Sequence, residues 1–149
     1  MNTATTKTIE TERLILRRFV SEDAQDMYDN WASDPEVTKF LTWPTHTAVE
    51  VSRKVLGNWI SRYGEGGTCN WGITLKGKDR VIGNIAVVSR DETTRSCEIG
   101  YCLGRAYWGQ GIMPEALKAV IAYLFEEEKD LNRIYVTHDV RNKKSGRVM

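Results

Sequence analysis

The chain has 149 residues, of which 41% are hydrophobic, and a formal net charge of +1, which together predict one compact domain with a hydrophobic core. The balanced charge argues against a nucleic-acid or membrane partner, and polar first residues with no apolar run of membrane-spanning length predict a cytoplasmic protein. Three cysteines without CxxC spacing, Cys69, Cys97 and Cys102, predict buried thiols in a reducing compartment and neither a metal site nor a disulfide framework.

The N-terminal region predicts a strand followed by a helix. Residues Thr11–Phe19 (TERLILRRF) interleave leucines with arginines, which is typical of a strand near a sheet edge. Ser21 is the predicted N-cap of the helix, whose acidic first turn suits the positive end of the helix dipole. Its apolar face at helical spacing consists of Ala24, Met27, Tyr28 and Trp31. The dipeptide Asp34-Pro35 predicts its end.

Large apolar residues without a clear period come next, followed by a second predicted helix. Between Glu36 and His46, the aromatic ring of Trp43 either packs against the core or lines a pocket. Thr47 and Glu50 have the spacing of a capping box. The apolar face of the helix that follows consists of Val51, Val55, Leu56, Trp59, Ile60 and Tyr63.

Three strand-like runs then occupy the middle of the chain, at Thr68–Leu75, Arg80–Val88 and Arg95–Leu103. Their short connections predict antiparallel hairpins. In the middle run both alternating sets of side chains are apolar, so that strand is expected to be covered on both faces. A later run, Asn132–His138, is reached through a helical crossover, which predicts that it lies parallel to the third run.

A glycine-rich turn with the sequence YWGQG joins the third run to the strongest helix pattern in the chain. Pro114 and Glu115 mark the start of this helix, because proline is favoured in the first turn and a carboxylate suits the positive end of the dipole. Its apolar stripe predicts a buried helix and consists of Met113, Ala116, Leu117, Val120, Ile121, Leu124 and Phe125.

The same turn is a candidate anion site. Gly109 and Gly111 place no side chains in the turn, so a phosphate could approach the main-chain N–H groups directly. The alternative is that the glycines only permit a tight corner. No Lys-Ser/Thr follows Gly111 as in a nucleotide P-loop, and Pro114 stands where a dinucleotide fingerprint requires its third glycine. An anion here would therefore be held mainly by the backbone.

The segments TERLILRRF, EIGYCL, YWGQGIMPEAL and NRIYVTHDVRNKKSGRVM, in this order, resemble the Gcn5-related N-acetyltransferase (GNAT) superfamily, and within it the RimJ/RimL-like ribosomal-protein N-acetyltransferases. The resemblance implies one α+β domain over residues 1–149, with helices on both faces of a mixed, mostly antiparallel sheet. The chain departs from the superfamily's pyrophosphate motif at one position. The motif has an Arg or Gln three residues before its first glycine, and this chain has Ala106 there. The chain is expected to end before the family's last strands, and a homodimer could complete the fold.

The resemblance also implies acetyl-CoA as the acyl donor, without a metal. Its pantetheine arm is expected along the strand that precedes the glycine turn, beside Ile99, Tyr101 and Leu103, with Asn142 reaching the same arm. The expected main-chain donors to its pyrophosphate are those of Trp108, Gly109, Gln110, Gly111, Ile112 and Met113. This agrees with the physical argument, because a glycine turn at a helix N-terminus supplies several donors at once.

Acetyl transfer to an amine requires a neutral nucleophile, and an alkylamine with a pKa of about 10 is mostly charged at neutral pH. Glu98 is the candidate general base, because strand alternation places it on the less apolar face beside the expected thioester. An ion pair with Arg90 or Arg95 is the alternative role. Ser145 matches a family position near the cofactor sulfur and is the candidate acid, with a helix cap as its alternative role. Tyr107 is the other option for the acid.

These features predict an acetyl-CoA-dependent N-acetyltransferase that acts on a primary amine, either a protein N-terminus or a small molecule, by direct attack on the thioester. A non-catalytic acyl-CoA-binding module is the alternative. A nucleotide-binding domain that uses the same turn is disfavoured by the missing Lys-Ser/Thr. His46 and His138 have no spaced ligand partners, so no metal site is predicted.

Overall fold

A six-stranded sheet organises the fold, and its strands lie side by side in the order of the sequence. The computed structural model describes residues 4–38, 44–65 and 68–136. Neighbouring strands are antiparallel except the last two, which are parallel. The mixed, mostly antiparallel sheet predicted above is therefore confirmed. The strands are β1 (Ile9–Glu10), β2 (Leu14–Arg17), β3 (Asn70–Leu75), β4 (Lys78–Asp91), β5 (Ser96–Leu103) and β6 (Arg133–Val136).

Helices cover both faces of this sheet, as predicted for an α+β fold. The first, α1 (Ala24–Met27), continues into a π-helical turn over Tyr28–Ala32. It is followed by α2 (Pro35–Thr38), α3 (Val49–Ser61) and α4 (Ile112–Glu127). In the described part of the chain, no helix is both long and apolar enough to cross a lipid bilayer.

Two hydrophobic clusters form the core, one on each face of the sheet. Val81 and Ile82, adjacent on β4, belong to opposite clusters, which confirms that this strand is covered on both faces. The larger cluster lies under α4 and includes Leu14, Leu16, Trp71, Ile85, Ile99, Ile112, Ala116, Val120 and Leu124. The smaller cluster lies under α1 and α3 and includes Phe19, Met27, Trp31, Leu56 and Cys102.

The ends of the N-terminal elements differ from the prediction. The first predicted strand is shorter, at Leu14–Arg17, and a two-residue strand precedes it. Ser21 is not the N-cap, because Val20 precedes the first turn and donates its N–H to Asp23 Oδ2 at 2.8 Å. The capping box predicted from Thr47 is also wrong, since Ala48 is the N-cap of α3 and no side chain caps it.

Three apolar residues predicted to be buried are exposed: Val51 by 39%, Val88 by 58% and Phe125 by 41%. The register between β4 and β5 shifts between Val87 and Ser89, so Val88 falls in a β-bulge that breaks the alternation of faces. Phe125 lies about 100° around the α4 axis from the buried Leu124, which places it beyond the apolar stripe.

Candidate functional site

The glycine turn lies between the end of β5 and the start of α4, after one 3-10 turn at Arg105–Tyr107. Gly109 and Gly111 have φ angles of 77° and 76°, in the left-handed region that favours glycine. A Cβ added at Gly109 would meet no atom within 4 Å. Gly109, Gln110 and Gly111 are all exposed, so the outer side of the turn is open to a ligand.

Unpaired main-chain amides are the chief chemical feature of this turn. Within residues 4–38, 44–65 and 68–136, the N–H groups of Gly109 to Met113 have no hydrogen-bond acceptor. The amide of Trp108, predicted to be a further donor, instead donates to the Arg105 carbonyl at 3.2 Å. The donors available to an anion are therefore those from Gly109 onward, at the positive end of the α4 dipole.

Arg13 and Glu115 meet beside the turn, a contact that the sequence does not predict. Arg13 Nε lies 2.6 Å from Glu115 Oε1, and the Arg13 amide donates to Oε2 at 3.0 Å. Burial acts to raise the pKa of Glu115, but hydrogen bonds from Thr11 and Arg13 outweigh it and lower the pKa below its usual value. Glu115 is therefore ionised. It lies in the first turn of α4, as predicted, and it also binds Thr11 and Arg13, which lie just before β2.

Strand β5 leads into the turn and carries the residues predicted to face a pantetheine arm. Ile99 and Leu103 are buried in the larger core cluster, and Tyr101 packs against it. Ser96–Ile99 of β5 pair in parallel with Arg133–Val136 of β6, and Val136 is the last residue that the structure describes.

Glu98 lies in the paired part of β5, on the opposite face from Ile99. It is half-buried, and its register partner on β4 is Ser89, whose hydroxyl donates to Glu98 Oε1 at 3.2 Å. Arg90, the alternative partner predicted for Glu98, forms an ion pair with Glu128 at 2.6 Å. Glu98 therefore lies on the strand face opposite Ile99, as strand alternation predicts, and its role as general base stays a prediction.

The aromatic residues of the turn have packing roles. Trp108 packs against both core clusters, and its Nε1 donates to the Leu103 carbonyl at 2.8 Å. Tyr107 packs against the larger cluster. The ring of Trp108 thereby fixes the path of the chain from the end of β5 into the turn.

Other predicted residues lie away from the turn or outside the described part of the chain. His46 is buried, bonds Ser52 Oγ through Nδ1 at 2.7 Å, and has its pKa lowered by burial. Within the described ranges, no group of three or more potential metal ligands occurs. The candidate residues that fall outside the described residues are Trp43, His138, Asn142 and Ser145.

The three cysteines are free and buried, as predicted. Burial raises the pKa of Cys69 and of Cys102 to about 12. Burial also raises the pKa of Cys97. A thiol that stays protonated at neutral pH is a poor nucleophile, so none of the three is suited to form an acyl-enzyme.

Comparison with known proteins identifies the family. The family model for the acetyltransferase (GNAT) domain matches residues 13–149. An uncharacterized N-acetyltransferase of Bacillus licheniformis, p20, is 36% identical over 143 residues, which cover 96% of this chain and 79% of that protein. The ribosomal protein uS5-alanine N-acetyltransferase of Escherichia coli is 27% identical, over 93% of this chain and 73% of that protein.

Solved structures share the fold. An acetyltransferase of the GNAT family from Bacillus anthracis superposes with a TM-score of 0.82 and 28% identity, over 96% of this chain and 80% of that chain. RimL, a ribosomal L7/L12 alpha-N-protein acetyltransferase solved in complex with coenzyme A, has a TM-score of 0.80 and 22% identity, over 95% and 80% of the two chains. The family model and these relatives show that the chain belongs to the GNAT family of N-acetyltransferases, and that its homologues include ribosomal-protein N-acetyltransferases.

Proposed function

We propose that the chain transfers the acetyl group of acetyl-CoA to a primary amine by direct attack of the amine on the thioester. One observation carries this proposal: in a chain of the GNAT family, the amides from Gly109 to Met113 before and at the start of α4 are unpaired, and Gly109, Gln110 and Gly111 are exposed. A diphosphate needs several donors at once, and this turn supplies them at a helix N-terminus.

The pantetheine arm runs from the turn along the edge of β5. Beside Ile99, Tyr101 and Leu103, where the family resemblance places it, an extended arm pairs with the main chain in the manner of an added strand. The acyl carbon then lies near Glu98. That RimL has been solved with coenzyme A supports a CoA site in this fold.

Glu98 acts as the general base, directly or through one water molecule. It removes a proton from the ammonium group, so that the amine nitrogen can form a bond to the carbonyl carbon. The tetrahedral intermediate then breaks its C–S bond, and the departing CoA thiolate takes up a proton. The buried, protonated cysteines favour this direct route over an acyl-cysteine intermediate.

The acceptor we propose is the N-terminal amine of a protein. Support comes from the Escherichia coli relative, whose name assigns it to the alanine of ribosomal protein uS5. Small amines are the second acceptor class, because the same chemistry applies to any neutral primary amine.

Release of free CoA thiol tests this function. The protein is incubated with acetyl-CoA and a peptide with an N-terminal alanine, and the same peptide with an acetylated N-terminus is the control. Small primary amines form a second set. Thiol release that requires a free amine supports the proposal. Saturable binding of CoA without thiol release for any acceptor would instead indicate a non-catalytic acyl-CoA-binding module, and the absence of CoA binding would overturn both.

A further inference from the structure

A carboxylate lies where the proposed function places an anion. Glu115 is in the first turn of α4, two positions after Met113, whose amide is among the proposed diphosphate donors. A free carboxylate at this position would repel a diphosphate, because like charges a few ångströms apart disfavour each other strongly when partly shielded from water. The turn therefore needs a group that neutralises Glu115.

Arg13 is that group. Its Nε lies 2.6 Å from Glu115 Oε1, and its main-chain amide donates to Oε2, which also accepts a hydrogen bond from Thr11 Oγ1. The carboxylate is 20% exposed and the Arg13 side chain 44%, so the pair lies at the edge of the turn. Both carboxylate oxygens are thus held by donors from the β2 side, and the local charge is balanced.

Arg13 also orients the turn itself. Its Nη1 donates to the Gln110 carbonyl at 2.9 Å. In a planar trans peptide the C=O and the following N–H point in opposite directions, so this bond turns the Gly111 amide away from Arg13. Arg13 Nη2 lies 3.4 Å from the position of a Cβ added at Gly111, which shows that the guanidinium lies along the turn.

We infer that Arg13 is a positioning residue for the diphosphate of CoA: it neutralises Glu115 and holds the Gln110–Gly111 peptide with its N–H directed at the ligand. This inference rests on the proposed function. It predicts an effect confined to donors that carry a diphosphate, whereas a residue that only braces β2 against α4 would affect every acyl donor alike.

Two donors separate these roles: acetyl-CoA and acetyl-pantetheine, which has the same thioester without the diphosphate. In Arg13→Gln, the ratio of kcat/KM for acetyl-CoA to kcat/KM for acetyl-pantetheine should fall about tenfold, a typical loss for one charge-assisted hydrogen bond. Lys7→Gln is the matched control, because Lys7 forms an exposed ion pair with Glu127 at the other end of α4. The control should keep the wild-type ratio.

Rescue provides a second readout. The double variant Arg13→Gln/Glu115→Gln no longer carries the unbalanced carboxylate. Its ratio of kcat/KM for acetyl-CoA to kcat/KM for acetyl-pantetheine should therefore lie between those of Arg13→Gln and wild type. If Arg13→Gln does not fold, Arg13→Lys replaces it, since lysine keeps the charge without the fork of donors and should give an intermediate ratio. An unchanged ratio in the folded variants overturns the inference alone. Failure of the wild-type protein to bind CoA overturns the proposed function, and the inference with it.

Discussion

Arg90 on β4 and Glu128, the residue that follows α4, form a bidentate ion pair across the core. Arg90 Nη1 lies 2.6 Å from Glu128 Oε1, and Nη2 lies 3.1 Å from Oε2. The Glu128 side chain is completely buried and that of Arg90 is 17% exposed. The pair ties the central strand to the C-terminal end of the helix whose N-terminus forms the candidate cofactor site.

Removing one partner of this pair should destabilise the fold strongly. Arg90→Met leaves the Glu128 carboxylate buried without its guanidinium, and such a change costs about 3–5 kcal/mol in other proteins. The double variant Arg90→Met/Glu128→Met should be clearly more stable than Arg90→Met, because no buried charge remains unpaired. Urea denaturation followed by circular dichroism measures the free energies of unfolding.

An exposed pair is the control for this prediction. Lys76→Gln removes the partner of Glu10 at the sheet edge, where 39% of the lysine and 66% of the glutamate side chain are exposed. Because water already solvates both groups, the urea unfolding midpoint of Lys76→Gln should stay close to that of wild type. A single Arg90 variant with the same midpoint as this control would show that the buried pair contributes nothing to stability.

Two glycines should respond to alanine in opposite directions. A Cβ at Gly83 on β4 would lie 2.4 Å from the Cys102 carbonyl oxygen of β5, which is backbone and cannot move away without breaking the sheet. Gly83→Ala should therefore destabilise by about 1–3 kcal/mol or more. Gly57 is exposed in the middle of α3 with no atom near the added Cβ, so Gly57→Ala should stabilise by about 0.5–1 kcal/mol.

Thermal unfolding of the two variants measures this contrast. The melting temperature should fall for Gly83→Ala and rise for Gly57→Ala relative to wild type. Similar shifts in both would mean that glycine acts through helix and strand propensity alone and that the close approach of β4 and β5 has no energetic consequence.

Periodicity in the sequence predicts most of the fold. Alternating and continuous apolar runs locate β3, β4 and β5, and the apolar stripe with Pro114 and Glu115 locates α4 to within one or two residues. These strands and this helix can be predicted because their patterns involve residues close together in the sequence. The resemblance of the glycine turn to a known motif predicts where the candidate site lies, and the structure shows that this turn is exposed.

Contacts between distant residues are what the sequence cannot supply. Arg13 and Glu115 are 102 positions apart, and Arg90 and Glu128 are 38 apart, so no local pattern links them. The caps fail for a related reason. Asp23, held by Arg17 at 2.9 Å, accepts the Val20 amide in place of the predicted Ser21 cap, and only the folded chain brings that arginine near.

His46 should make stability depend on pH near neutrality. Burial lowers the pKa of His46 below its usual value of 6.5, so the unfolded state takes up a proton before the folded state does. Its contribution to stability is therefore complete above about pH 6.5 and decreases as the pH falls through the lowered folded-state pKa. Melting temperatures at pH 8, 7, 6 and 5 should fall more steeply toward acid for wild type than for His46→Asn.

Ser52→Ala is the matched control for His46→Asn. It removes the 2.7 Å hydrogen bond to Nδ1, at a cost of about 1 kcal/mol, but keeps the buried imidazole. Ser52→Ala should thus lower the melting temperature at pH 8 yet retain the wild-type slope below pH 7. Equal slopes for wild type and His46→Asn would assign the acid sensitivity to other groups.

Replacing Glu98 with glutamine should slow acetyl transfer in a pH-dependent way. Without a base the attacking amine remains protonated, so kcat/KM near pH 7 should fall about 10²- to 10⁴-fold. As the pH approaches the amine pKa of about 10, the amine loses its proton unaided and the difference from wild type should shrink.

Glutamine at position 98 can still accept the hydrogen bond from Ser89, which lies 3.2 Å from Glu98, so the contact between the strands survives. Glu92→Gln, at an exposed residue of the β4–β5 hairpin, is the control and should keep the wild-type profile. A Glu98→Gln profile that runs parallel to wild type at every pH would remove Glu98 from the role of base and leave it as a residue that supports the strand.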